Sequence, residues 1–389
     1  MALQFPCDFL RGLLGDSGGL LLLPIDTGKS ACGPTTSTGS APNVSSNAQR
    51  NGQLVLREST VNNSYRGLAA IAVAALISPP ALASMTPRLK SIETKGVEVV
   101  ASFDPAKGQN PENLVVGPDG TVYVTWLFAH SVVAVRPDGS QAAVSLPAGE
   151  ATGVAIDPRH PGQLAVALIS QDPGTTGIWT VPFSAFAGHG TPGRAVALPA
   201  EAFPNGITYA PDGTLYIADS TRGLILQVAP GASSVTTWLS NNLLTPTGAS
   251  FHGVPLPGVN GLKLHRGQVY ATNTARGLLM RIPVNAGSPG SPVVIRRGLA
   301  FDDFAIGDDS QITAALNISD QVVQFRPNGP VVVIADKAHD GVENPSAVAF
   351  GARHQLYITS SAYFGSHPAL QVIEPGPGPD SRPASAVSR

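Results

Sequence analysis

One unit recurs six times after residue 95. It is a polar residue, a short apolar run, a tight turn, and a second apolar run ending in polar groups. The copies are ENLVVGPDGTVYVTW (112–126), TGVAIDPRHPGQLAVAL (152–168), NGITYAPDGTLYIADS (205–220), NGLKLHRGQVYATN (260–273), DDFAIGDDSQITAALN (302–317) and SAVAFGARHQLYITSS (346–361). Their starts lie 40, 53, 55, 42 and 44 residues apart, the spacing of four-stranded blades around an axis. The runs Val-Tyr-Val, Leu-Tyr-Ile and Val-Tyr-Ala are of the β-branched and aromatic kind that favours strands. Pro118-Asp119-Gly120 and Pro211-Asp212-Gly213 have the turn chemistry of hairpins.

The expected fold is therefore all-β, a six-bladed β-propeller over residues 95–375. Third strands are expected at Ser131–Val135, Gly177–Val181, Leu224–Val228, Leu278–Pro283, Gln321–Phe325 and Leu370–Ile373. Fourth strands are expected at Ala142–Leu146, Ala195–Leu198, Val235–Leu239, Val293–Arg296 and Val331–Ala335. The sixth unit lacks a fourth strand, because Pro375-Gly376-Pro377-Gly378-Pro379 ends it, while the run at about 97–103 has no unit of its own. That run is expected to complete the last blade and close the ring, leaving few free edges. A β-sandwich with coincidental spacing is the alternative, and six matched units speak against it. Nothing repeats with a ten-residue helical period between strands, so a TIM barrel or dinucleotide fold is not expected.

Residues 1–60 are rich in Gly, Ser, Thr and Asn and carry no sustained period. Arg66, the apolar run Leu68–Ile77 and Ala81-Leu82-Ala83 have the three parts of a secretory signal over 61–83. The run is too short to span a membrane, which takes about 20 residues. The expectation is export, to the periplasm or outside the cell, with no stable membrane span after cleavage. Translation is then expected to begin near Val61, with 1–60 an upstream artefact and 376–389 a disordered tail. Both cysteines, Cys7 and Cys32, precede the cut, so the exported chain has no disulfide to lean on. A net charge of −2 with 13% charged residues offers no basic footprint for nucleic acid. The expected partner is a small molecule.

In a propeller the first strand of each blade lines the channel and the second returns antiparallel. Aligning the six units on their second strands puts Glu112, Thr152, Asn205, Asn260, Asp302 and Ser346 around one channel mouth. All six offer oxygen, and two are carboxylates. Converging oxygens suit a hard cation such as Ca²⁺, with Mg²⁺ or Mn²⁺ as alternatives. Glu112, Asn205, Asn260 and Asp302 are the expected metal ligands. The plainer reading is that such residues satisfy backbone groups at strand starts. Trp126, Asp219, Asn273, Asn317 and Ser361 end the second strands on the same face, with Phe128, His130, Tyr363 and His367 in nearby loops. Trp126, Asp219, Asn273, Asn317 and Tyr363 are the expected substrate contacts, and Asp302 and His130 the expected proton-transfer groups. Within residues 95–375 no G-x-S-x-G elbow or H-E-x-x-H pair is present.

The units PENLVVGPDGTVYVTW, PNGITYAPDGTLYIADS and DDFAIGDDSQITAALN resemble the SMP-30/gluconolactonase/LRE-like superfamily of six-bladed propellers, relatives of the TolB-like and NHL-type propellers. The resemblance covers about residues 95–375. It implies a divalent metal, usually calcium, held in the channel, and the opening of lactones or hydrolysis of related esters. Glu112 matches the family's first-blade Glu, and Asn205 in Pro204-Asn205-Gly206 its middle-blade Asn. Where many family enzymes carry an Asp proposed as base or nucleophile, this chain has Asn260, and an amide cannot take up a proton as a carboxylate does. The other expectation is therefore a non-catalytic propeller that binds a small ligand, glycan or peptide on the same face.

Overall fold

A computed structural model of the protein describes residues 96–172 and 174–374; the segment read as a leader and the tail at 376–389 lie outside the described residues. The hairpins form where the turn chemistry asks for them. Asp119 Oδ1 accepts from the Thr121 N–H (3.0 Å) and Asp212 Oδ1 from the Thr214 N–H (2.9 Å). Gly120 and Gly213 take φ of 83° and 89°, a region costly for any residue with a Cβ.

Six antiparallel sheets result, each opened by an inner strand: Pro111–Val116, Glu150–Ile156, Pro204–Tyr209, Val259–His265, Phe304–Ile306 and Pro345–Phe350. We number the blades 1–6 in that order. The third and fourth strands fall where expected to within one or two residues. Blade 6 takes its outer strand from Val97–Ser102, which pairs antiparallel with Ala369–Ile373, so the ring closes as the repeat count implies. Two features were not foreseen. Blade 4 carries an extra short strand, Ser288–Pro289, and a small hairpin, Ser250–Phe251 with Val254–Pro255, precedes its inner strand.

Apolar side chains fill the wedges between adjacent blades rather than a single centre. Tyr123, Val132, Leu164 and Val166 join blades 1 and 2, and Val124, Val133, Ala347 and Leu370 join blades 6 and 1. Around the channel every blade is tied to the next. Thr125 Oγ1 donates to Thr152 O (2.7 Å), Thr152 Oγ1 to Pro204 O (2.7 Å), Ser220 Oγ to Val259 O (2.6 Å) and Thr272 Oγ1 to Asp302 O (2.7 Å). The Asp303 N–H donates to Ser346 O (3.0 Å), and Ser346 Oγ to Pro111 O (3.2 Å), which completes the belt. The inner strands pack so closely that a Cβ at Gly153 or Gly206 would stand 2.1 or 2.4 Å from the next blade's Asn205 or Asn260 carbonyl oxygen. Glycine is the residue that fits there.

Candidate functional site

Every inner strand except that of blade 5 shifts register at its start, at Pro111/Leu114, Ala151/Val154, Pro204/Ile207, Val259/Leu262 and Pro345/Ala347. Such bulges re-aim side chains. In blade 5 ladder pairing starts only at Phe304, so Asp302 and Asp303 occupy the matching kink without being strand residues. Two backbone bonds still hold them: Asp302 N to Ala315 O (3.0 Å) and Ala315 N to Asp303 O (2.9 Å).

The kink brings Asn260 and Asp302 together. Asn260 Nδ2 donates to Asp302 Oδ1 (2.7 Å) and to Thr274 Oγ1 (3.0 Å), leaving the amide oxygen free. Glu112 lies on the same mouth, 9% exposed, and accepts a hydrogen bond from the Tyr363 hydroxyl. Burial pushes the Glu112 carboxyl well above its ordinary range, and the charges of Asp302, Asp303 and Glu150 push it further. Burial, then Asp303, pushes Asp302 up to about 8 against the opposing hydrogen bond from Asn260. Two acids crowded out of water in this way hold their protons more tightly than free carboxyls do. Asn205 is buried at the equivalent place in blade 3, and among the described residues its amide has no hydrogen-bond partner. Thr152 and Ser346, the other two of the six mouth residues, have their hydroxyls in the inter-blade belt, where the plainer reading holds.

Three residues not picked out from the sequence complete the channel. Asp303 Oδ2 accepts from Lys263 Nζ (2.5 Å) and Asn113 Nδ2 (3.1 Å), linking blades 5, 4 and 1, while its Oδ1 is buried without a partner. Lys263 thus answers Asp303, and neither Glu112 nor Asp302 has a basic partner among the described residues. The signal was present: the residue after each mouth position is Gly in blades 2, 3 and 4, and Asn113 and Asp303 depart from it.

Most of the rim side chains expected to touch substrate are engaged within the protein, beginning with Trp126. It is buried in the wedge between blades 6 and 1, edge-on to Phe103 at 5.3 Å. Asp219 clamps its own loop, accepting from Phe203 N (3.3 Å), Arg222 N (3.2 Å) and Arg222 Nε (2.6 Å). Asn273 ties its loop to the one before blade 4, donating to Leu243 O (2.9 Å) and Thr245 O (3.1 Å) and accepting from Arg276 N (3.0 Å). Asn317 donates to Asn344 O (3.2 Å). Polar groups so engaged hold loops in place and have little left for a ligand. Tyr363, through its bond to Glu112, is the rim residue that reaches the acids. His130 is half-buried with Nδ1 hydrogen-bonded to the Gly149 carbonyl oxygen. Burial raises the neighbouring Glu150 carboxyl above its ordinary value, with His130 opposing the rise. His130 makes no bond to Asp302 or Glu112.

A divalent cation fits this donor set: two carboxylates, the free Asn260 amide oxygen and the unpartnered Asn205 amide are hard oxygen ligands. Among the described residues no three His, Cys, Asp or Glu side chains stand in metal-holding geometry, so the amides would be needed to complete the shell.

No protein-family profile matches the sequence, and no curated protein sequence matches it. Solved structures match the fold. Regucalcin from Agrobacterium tumefaciens, a calcium-binding protein, shares 17% identity at a TM-score of 0.54, over 73% of this chain and 96% of that one. Luciferin-regenerating enzyme shares 14% at 0.56, over 72% and 95%. An auxiliary nutrient binding protein from Bacteroides thetaiotaomicron shares 10% at 0.56, over 72% and 76%. The chain is a six-bladed β-propeller with the fold of the regucalcin-like propellers, and at these identities the likeness is one of fold.

Proposed function

We propose that the protein is a divalent-metal-dependent hydrolase of lactones or related esters. The observation that supports this is the pair of buried acids, Glu112 and Asp302, held above their ordinary range at the channel mouth without a basic partner. Glu112, Asp302, Asn260 and Asn205 would hold the ion, with Ca²⁺ favoured by the all-oxygen set. When bound, it supplies charge that polarises a carbonyl and acidifies a water.

The chain's own residues do the rest. Asn260 fixes Asp302 through Oδ1, and once a bound cation favours the ionised carboxylate, Oδ2 would be left to take up a proton from water. Tyr363 fixes Glu112 and can pass a proton on to it. His130, engaged with Gly149, acts on Glu150 rather than on the reacting atoms. Export is part of the proposal and rests on the sequence of residues 61–83.

One observation favours a second reading, a non-catalytic binding propeller. Asn260 stands where the resemblance places an acid, and its amide is engaged with Asp302 and Thr274. Calorimetric titration of the full chain with Ca²⁺, repeated on Glu112→Gln, tests the metal. Wild-type binding that the variant loses is expected; no heat in the wild type removes the ion. A panel of lactones and aryl esters, with and without chelator, then separates enzyme from binder.

A further inference from the structure

The loop that carries Tyr363 also carries Phe364, and Phe364 does not stand alone. The unforeseen hairpin before blade 4 turns through His252 and Gly253, both at positive φ (49° and 80°), as a two-residue hairpin loop requires. That turn presents Phe251 and His252 to Phe364. The ring centroids lie 5.4 Å apart for Phe251–Phe364, 4.7 Å for His252–Phe364 and 4.3 Å for Phe251–His252. On the other side Phe128, from blade 1, meets Tyr363 edge-on at 6.3 Å. An aromatic arch is thus built from two ring clusters that join at the adjacent residues Tyr363 and Phe364 of the blade 6 loop. Tyr363 anchors it to Glu112.

The arch is open to solvent. Phe364 is 39% exposed, His252 is exposed and Phe251 is half-buried. Exposed rings gathered from separate loops have apolar surface still to cover. The polar rim gives the complementary result: Asp219 bonds to Arg222, Asn273 to Arg276 and to the Leu243 and Thr245 carbonyl oxygens, Asn317 to the Asn344 carbonyl oxygen, and the Tyr363 hydroxyl to Glu112. A polyhydroxylated ligand would find few partners for its hydroxyls here, and each buried hydroxyl left unpaired weakens binding. A flat apolar group would meet ring edges and faces.

We propose that the site takes ligands bearing an aromatic or similarly flat apolar group, gripped by the arch of Phe128, Tyr363, Phe364, Phe251 and His252 beside the Glu112 carboxyl. The substrates are then aryl-substituted lactones or aryl esters rather than sugar lactones. The inference rests on the reading of the Glu112–Asp302 mouth as the reacting site.

The test uses lactams, which mimic the lactone ring and are not turned over. The full chain, with calcium present and then with chelator, is titrated with a phenyl-substituted six-membered lactam and with a polyhydroxylated lactam of the same ring size. The phenyl lactam is expected to bind at least about tenfold more tightly, the scale of one or two ring contacts. Phe364→Ala and Phe251→Ala should each remove most of that preference. The double variant should lose little more than either alone, because the two rings act as one surface. Phe364→Leu should retain part of it, and unchanged melting temperatures separate loss of contact from loss of fold. Equal affinity for the two lactams, or a preference that survives both alanine variants, overturns the inference. Tight phenyl-lactam binding with no turnover of any lactone or ester supports it and sinks the hydrolase reading instead.

Discussion

Asp302→Asn should stabilise the protein in the absence of metal, the reverse of what a buried polar substitution ordinarily does. Asparagine keeps the shape of the side chain and the oxygen that accepts from Asn260 (2.7 Å). It removes the acid that burial and Asp303 push up to about 8. At pH 7 that acid stays protonated in the fold but ionises in the unfolded chain, which disfavours the fold by about 4 kcal/mol at 1.36 kcal/mol per tenfold. Relaxation and water entry reduce this, so a gain of about 2–4 kcal/mol is the working figure. For a domain of this length it corresponds to a rise of roughly 3–7 °C in Tm. The sign also fixes the pH dependence. The native state holds a proton that the unfolded state has released, so the Asp302 contribution to wild-type stability without metal is most favourable below about pH 4 and worsens as pH rises towards 8. The variant should be flatter across that window, because the Asp302 carboxyl no longer titrates there. Calcium should raise the wild-type Tm and leave the variant unmoved. Thermal unfolding in chelator and in calcium, from pH 4 to 8, measures all of this. A variant less stable than wild type in chelator, or equally stabilised by calcium, refutes the reasoning.

Three further outcomes follow from the same structure. Deleting residues 96–103 removes the outer strand of blade 6 together with the buried Ala101 and Phe103, and should cost more than about 5 kcal/mol; an unchanged melting temperature refutes closure by this strand. Lys263→Met leaves the Asp303 carboxylate buried without its cation and should cost about 3–5 kcal/mol in chemical denaturation, whereas adding Asp303→Asn should recover much of it; no recovery would show that the pair is not the cause. Glu343 is opposed by burial, but the Ser366 and His367 N–H groups and Lys337 hold its carboxyl below its ordinary value. Its stabilisation is therefore complete above about pH 4.5 and lost as pH falls through the depressed value. An acid-unfolding curve that does not move in Glu343→Gln would count against it.

Much of the fold was legible because β-structure writes itself locally. The alternation in Leu-Tyr-Ile, the Pro-Asp-Gly turns and the spacing between units each act over a few residues, and six copies multiply a weak signal. The closure by Val97–Ser102 could also be read, since a blade one strand short and a strand without a blade imply one another. The hairpin at Ser250–Pro255 could not: its strands are two residues each, and its packing partner Phe364 lies more than 100 residues away.

The site divides in the same way. Register alone placed Glu112, Asn260 and Asp302 in equivalent positions, because a repeat maps sequence offset onto a ring. Register could not tell that Thr152 and Ser346 tie blade to blade, or that Asp219 and Asn273 clamp loops, since a polar side chain at a strand end can turn to nearby loop groups as readily as to the channel. Nor could it show that Lys263 neutralises Asp303 and leaves Glu112 and Asp302 without a counter-charge. The six-bladed ring and the residues that begin its inner strands follow from short-range propensity, repeated often enough to be unambiguous. Which of those oxygens remain free, and which rings meet across loops, depends on distances between blades that no local pattern encodes.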